Sequence, residues 1–242
     1  MTDAQLARAI AEEAGRLLID LRAGGLTGAA LGAEGDRRAN RLILDRLAAA
    51  RPGDPILSEE SHDDRSRLQS RRVWIIDPLD GTREYAEDHD DWAVHVGLAV
   101  NGRPAAGAVA LPVPGLTLAS DEARAPHPLP DRPRIVVSRT RPPALATRIA
   151  EALGAELIPM GSAGAKAMAV VQGRADIYLH AGGQHEWDNC APVAVALTHG
   201  YHASRIDGSE LIYNRPEPYL PDLLICHPGL ASRVLELVGA PT

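Results

Sequence analysis

The run Trp74-Ile75-Ile76-Asp77-Pro78-Leu79-Asp80-Gly81-Thr82 constrains this chain more than any other stretch. A β-like segment, Arg72 to Ile76, delivers two carboxylates and a hydroxyl into a turn set by Pro78 and Gly81. Asp77 and Asp80 are too close along the chain to be comfortable without positive charge between them. Oxygen-only ligands favour hard cations, Mg²⁺ above all. Two such ions held about 3.5–4 Å apart clamp a phosphate ester for hydrolysis. Asp-Gly and Pro are also ordinary turn residues, so this stretch alone reads equally as a polar β-turn.

The surrounding pattern is mixed. Residues 3–22 carry Leu6, Ile10, Leu17, Leu18 and Leu21 at helical spacing, with Thr2 and Asp3 as caps. Residues 24–35, rich in Gly and Ala, read as a loop, and a second amphipathic helix is expected from Asp36 to Ala50. Residues 55–58 form a short buried strand that ends in Glu59-Glu60, and 61–71 a charged connection. Trp92 to Val100 alternates like a strand, and Asn101-Gly102 offers a hairpin turn into Ala105–Leu111. The Pro-rich, acidic stretch 121–133 divides the chain into halves, 1–130 and 131–242. Beyond it, strands at 134–138, 156–159 and 175–179 alternate with helices at 143–153, 164–173 and 189–200. That alternation predicts an α/β layer.

Bulk properties exclude several classes. The 242 residues suffice for one large domain or two small ones, with Ala, Leu, Val and Ile as core material because Phe is absent. A formal charge of −7 with no basic run argues against nucleic acid. Cys190 and Cys226 are too few for a disulfide framework. Neither a signal peptide nor a membrane span is visible, so a cytoplasmic location is expected.

Asp188 follows Trp187 at the start of an expected helix, where it reads as a cap or as a third converging carboxylate. Taken in order, Glu59-Glu60, the Asp77–Thr82 run and Trp187-Asp188 resemble the metal motifs of the inositol monophosphatase superfamily. The resemblance spans nearly the whole chain. It implies a layered α-β-α-β-α sandwich and a phosphatase that uses two or three Mg²⁺ ions per subunit. Glu59, Asp77 and the carbonyl of Leu79 would hold one ion; Asp77, Asp80 and Asp188 the second. Glu59 and Thr82 would orient the attacking water, with Asp36 hydrogen-bonded to Thr82. The N–H groups of Gly81 and Thr82 would cradle the phosphate. A homodimer is implied by the same likeness.

Glu186, before Trp187-Asp188, resembles the CysQ-like branch, the 3′(2′),5′-bisphosphate nucleotidases. The likeness implies removal of the 3′-phosphate of 3′-phosphoadenosine 5′-phosphate, or of its sulfated form, and a place in sulfate assimilation. Ser138-Arg139 matches its nucleotide-phosphate contact; a helix N-cap serine with a surface arginine is the other reading. Gly161, Ser162 and Lys166 place small residues and a rare lysine at a helix start, as a substrate loop or as a tight loop with a solvated lysine. Inositol-specific members carry a carboxylate where this chain has Ala181, and residues 24–35 lack the Lys-x-Asp pattern of the family. An inositol monophosphate or fructose 1,6-bisphosphate phosphatase is the alternative among enzymes, and a non-catalytic nucleotide sensor the alternative of another class. His180 and His185 invite a transition metal, but no further ligand completes a set; His185 could instead meet substrate. His89-Asp90-Asp91 reads as a cation site or an exposed turn, and His95 as a core or interface residue.

Overall fold

A computed structural model describes residues 1–240. Helix α1 (Asp3–Arg22) opens with a capping box: Gln5 N–H donates to the Thr2 hydroxyl and Thr2 N–H to the Gln5 side chain. Its buried stripe is Leu6, Ile10, Ala14, Leu18 and Leu21. Helix α2 covers Gly28–Ala50. The loop expected at 24–35 is therefore mostly helix, and Asp36 sits in its interior rather than at its start. Tertiary packing overrides the weak helix propensity of glycine here. A Cβ on Gly32 would lie 2.9 Å from Thr82 Cγ2, and one on Gly35 3.0 Å from Leu79 Cδ2. Glycine lets α2 press against the Asp77–Thr82 run, and Asp36 rides in on that contact.

The strands form two five-stranded sheets. The first contains β1 (Ile56–Ser58), β2 (Arg72–Asp80), β3 (Ala93–Val100), β4 (Arg103–Leu111) and β5 (Leu116–Ala119), in that spatial order. β1 and β2 are parallel and the remaining pairs antiparallel. Short α3 (Thr82–Ala86) follows β2 directly. The second sheet has the order β7 (Glu156–Met160), β6 (Arg134–Ser138), β8 (Ile177–His185), β10 (Tyr219–Cys226), β9 (His202–Ser204). The remaining helices are α4 (Ala144–Leu153), α5 (Ala163–Val171), α6 (Glu186–Thr198) and α7 (Ala231–Gly239).

Side-chain alternation along the strands turns these elements into layers. Trp74 and Ile76 of β2, with Val94, Val96 and Leu98 of β3, pack under α1 and α2. Val73 and Ile75, on the opposite face, join α5, α6 and the Val136, Tyr178, Leu223 and Ile225 face of the second sheet. Ile135, Val137, Ile177, Leu179, Leu224 and Cys226 face α4 and α7. The result is a five-layer α-β-α-β-α sandwich. Each fully buried Leu, Ile or Val contributes about 1.5–3 kcal/mol.

Two further differences from the sequence reading have physical causes. β8 runs on to His185, past the expected end at 179, because Gly182 and Gly183 accept the positive φ that carries the strand through a bend. β10 escaped notice because Pro221 interrupts its pattern; it falls at the irregularity between Leu220 and Asp222, where the ladder is already broken. Helix α6 starts at Glu186, three residues before the expected 189. Among the described residues no helix is long and apolar enough to cross a membrane.

Candidate functional site

Two chain segments, remote in sequence, meet at one end of the first sheet. β2 carries Asp77 and Asp80, and its pairing with β3 slips between them, which turns both carboxylates toward the same side. Asp77 is 1 % exposed and accepts the Leu79 N–H at 3.0 Å. α6 brings Asp188 in from above. It can come that close because β3 and β4 present glycine beneath it: a Cβ on Gly97 would lie 2.9 Å from Ala191 N, and one on Gly107 2.8 Å from Ala191 O. Carboxylate oxygens of Asp77, Asp80 and Asp188 lie within 4.8 Å of one another.

Like charges at that spacing in a buried site shift protonation. Burial, then repulsion from Glu59, Asp80 and Asp188, raises Asp77 well above the ordinary carboxylate range. Burial and Asp80 push Asp188 up to about 6. Glu59, at the exposed mouth just beyond β1, is pushed up to about 7 by partial desolvation and by Asp188. Asp80 goes the other way. Burial would raise it, but His95 and its hydrogen bonds outweigh that and hold it below the ordinary range. It accepts N–H bonds from Ala163 at 3.1 Å and Gly164 at 2.6 Å and the Ser162 hydroxyl. His95 is fully buried, with Nε2 3.2 Å from Asp80 and Nδ1 3.0 Å from the Trp187 carbonyl. An all-oxygen donor set, crowded with negative charge and screened from water, fits a hard divalent cation.

The Asp36 carboxylate and Thr82 complete the rim. Thr82 Oγ1 lies 3.1 Å from the Leu79 carbonyl and 3.4 Å from Asp36 Oδ1. Asp36 is 8 % exposed; burial and Glu60 push it up to about 7. Gly81 precedes α3 in a left-handed conformation, φ 89°, and sits beside Ser162.

The expected substrate residues are placed as follows. Arg139 pairs with Asp91, which also accepts the Gly161 N–H at 2.6 Å. Ser138 Oγ accepts the Arg141 N–H at 3.2 Å; the N-cap of α4 is Pro143, so Ser138 caps no helix. Lys166, the chain's single lysine, is not a solvated side chain. It is 6 % exposed and donates to the carbonyls of Gly161 and Ser162. Glu186 is fully buried and accepts backbone N–H groups of Asn214 at 2.7 Å and Arg215 at 2.8 Å. Asp91, left between a cation site and an exposed turn, instead ties the Gly161 loop to Arg139. The sequence reading missed the contact of His95 with Asp80; the visible signal was its place on the strand after the Asp77–Thr82 run, opposite Asp77.

Comparisons with known proteins identify the family and the fold. A family model described as the inositol monophosphatase family matches residues 4–126 and 132–238. The 3′-phosphoadenosine 5′-phosphate phosphatase of Mycobacterium tuberculosis is 53% identical over 239 residues, covering 94% of this chain and 90% of that protein. Inositol monophosphatase-II of Staphylococcus aureus superposes with a TM-score of 0.82 at 20% identity, over 96% of this chain and 93% of that one. CysQ of Bacteroides thetaiotaomicron gives a TM-score of 0.79 at 25% identity, over 93% and 97%.

Proposed function

The chain belongs to the inositol monophosphatase family, and on that footing we propose that it is a Mg²⁺-dependent 3′(2′),5′-bisphosphate nucleotidase. Its substrate in this reading is 3′-phosphoadenosine 5′-phosphate, converted to AMP and inorganic phosphate. The observation that carries the chemistry is the convergence of Asp77 and Asp80 of β2 with Asp188 of α6 within 4.8 Å. The relatives more than half identical carry the substrate choice. Ala181, in place of a sugar-hydroxyl acceptor, points the same way.

Asp77, Asp80 and Asp188, with Glu59 and the Leu79 carbonyl, would hold Mg²⁺. When bound, that charge gathers the phosphate and stabilises the attacking and leaving oxygens. The protein supplies the rest. Thr82 Oγ orients the attacking water, and Asp36 fixes the hydroxyl. Asp36, pushed up to about 7, can exchange a proton at the rim at neutral pH. The N–H groups of Gly81 and Thr82 meet the phosphate. Ser138, Arg139, Gly161 and Ser162 line the remote side, where a substrate phosphate competes with Asp91 for the Arg139 fork. Lys166 shapes the Gly161–Ser162 loop from within, and Glu186 holds the Asn214–Arg215 backbone beside α6. Two buried, unpaired cysteines suit a reducing compartment such as the cytoplasm. A homodimer belongs to the same proposal and is checked by sedimentation.

The test is phosphate release with Mg²⁺ from 3′-phosphoadenosine 5′-phosphate, inositol 1-phosphate and fructose 1,6-bisphosphate, in parallel. Strong preference for the nucleotide is expected, with near-total loss in Asp80→Asn. Preference for a sugar phosphate would overturn the substrate, and no release from any would leave a nucleotide sensor.

A further inference from the structure

Aromatic side chains are scarce here: three Trp, five Tyr and no Phe. Six of these eight, Trp74, Trp92, Tyr85, Tyr178, Tyr201 and Tyr213, are buried in the core. The two that are not, Trp187 and Tyr219, flank the same histidine beside the carboxylate cluster. His185 stacks on Trp187 with ring centroids 4.7 Å apart and planes 10° from parallel. Tyr219 stands edge-on to His185, centroids 6.2 Å apart at 80°. The two residues are also register partners between β8 and β10.

The ledge is exposed and rigid at once. Tyr219 is 50 % exposed, and the His185 side chain 49 %. A Cβ on Gly183 would lie 2.6 Å from the Tyr219 ring, so glycine there lets the ring lie against the strand. The His185 N–H donates to the Asp188 carboxylate, and the Trp187 carbonyl meets His95. Both backbone ties fix the ledge to the cluster. Trp187 rests its other side on the core, while His185 and Tyr219 stand half exposed; what points to a ligand is the grouping of these flat faces beside the carboxylate cluster, a setting that suits a planar ring.

We propose that His185, Trp187 and Tyr219 form the base-recognition ledge, on which the purine of a nucleotide bisphosphate stacks while its 3′-phosphate lies at Asp77, Asp80 and Asp188. The inference rests on the phosphatase reading above and adds the determinant of nucleotide over sugar. A polyhydroxylated ring gains little from these faces, whereas a base offers its π-surface to them.

The experiment compares wild type, Tyr219→Ala and Tyr219→Phe, in kcat/KM for 3′-phosphoadenosine 5′-phosphate relative to inositol 1-phosphate. The ratio is expected to fall about tenfold or more in Tyr219→Ala, through KM, and to return in Tyr219→Phe. A ratio unchanged in Tyr219→Ala, whether both rates hold or both fall together, overturns the ledge. Titration calorimetry with AMP, read on the same variants, separates the two layers of the argument. Should wild type prefer inositol 1-phosphate, the nucleotidase reading falls. Weaker AMP binding to Tyr219→Ala, restored by Phe, would then still support the ledge, and equal binding would remove it.

Discussion

Replacing Asp188 by Asn should stabilise the ion-free protein while destroying its chemistry. The carboxyl moves from an ordinary 3.8 up to about 6, first through burial and then through Asp80. Two units at 1.36 kcal/mol each come to about 3 kcal/mol, and the 24% exposure of the side chain trims that to about 2–3 kcal/mol. A folded-state value raised above the unfolded one means that ionisation costs the folded state. The cost is absent below about 4, grows as pH rises, and is complete above about 6. Asparagine keeps an oxygen for the His185 N–H and carries no charge. At pH 8 in EDTA, Asp188→Asn should melt about 5–10 °C above wild type, and at pH 4 the two should coincide. With saturating Mg²⁺ wild type should regain about 3 kcal/mol and the variant much less. Phosphate release by the variant should drop by about 10³-fold or more. A variant that melts no higher than wild type at pH 8, or whose advantage persists undiminished at pH 4, refutes the claim that crowded carboxylates store this energy.

Cation binding should expel protons near neutrality, because Glu59 sits near 7 and Asp77 well above its usual range. Calorimetry of Mg²⁺ binding at pH 6.5 in buffers of different ionisation enthalpy should show about one proton released; buffer-independent heats would contradict the assignment. Thr82→Val keeps the shape but loses the hydroxyl between Asp36 and Leu79. Its kcat should fall by about 10²-fold with Tm nearly unchanged, and full activity would remove Thr82 from the water-orienting role. Gly107→Ala puts a methyl 2.8 Å from the Ala191 carbonyl and so lifts α6. It should cost about 1–3 kcal/mol in melts and weaken Mg²⁺ binding through Asp188, far from any ligand it touches. Loss of stability with metal affinity intact would show that α6 is positioned otherwise.

The grouping of Asp77, Asp80 and Asp188 was legible in the sequence. Asp77, Asp80 and Thr82 are spaced by one turn of chain, so their meeting is local and legible. Glu59 and Asp188 were readable because each closes or opens an element with clear periodicity, and the likeness of the ordered motifs supplied the layered fold. Three things only the tertiary structure decided. Asp36 reaches Thr82 because Gly32 and Gly35 pack against β2 and α3, and that packing makes helix of residues whose local propensity says loop. Lys166 and Glu186 carry charges that the sequence assigns to solvent or ligand, yet burial turns Lys166 back on the carbonyls of its own loop and Glu186 onto the backbone of the distant Asn214–Arg215 stretch. His95 reaches Asp80 through the pairing of β3 with β2, and Tyr219 reaches His185 through the pairing of β10 with β8; local spacing encodes neither. Contacts within a few residues follow from the chain's own geometry; contacts between strands and between layers follow from which faces must leave water together.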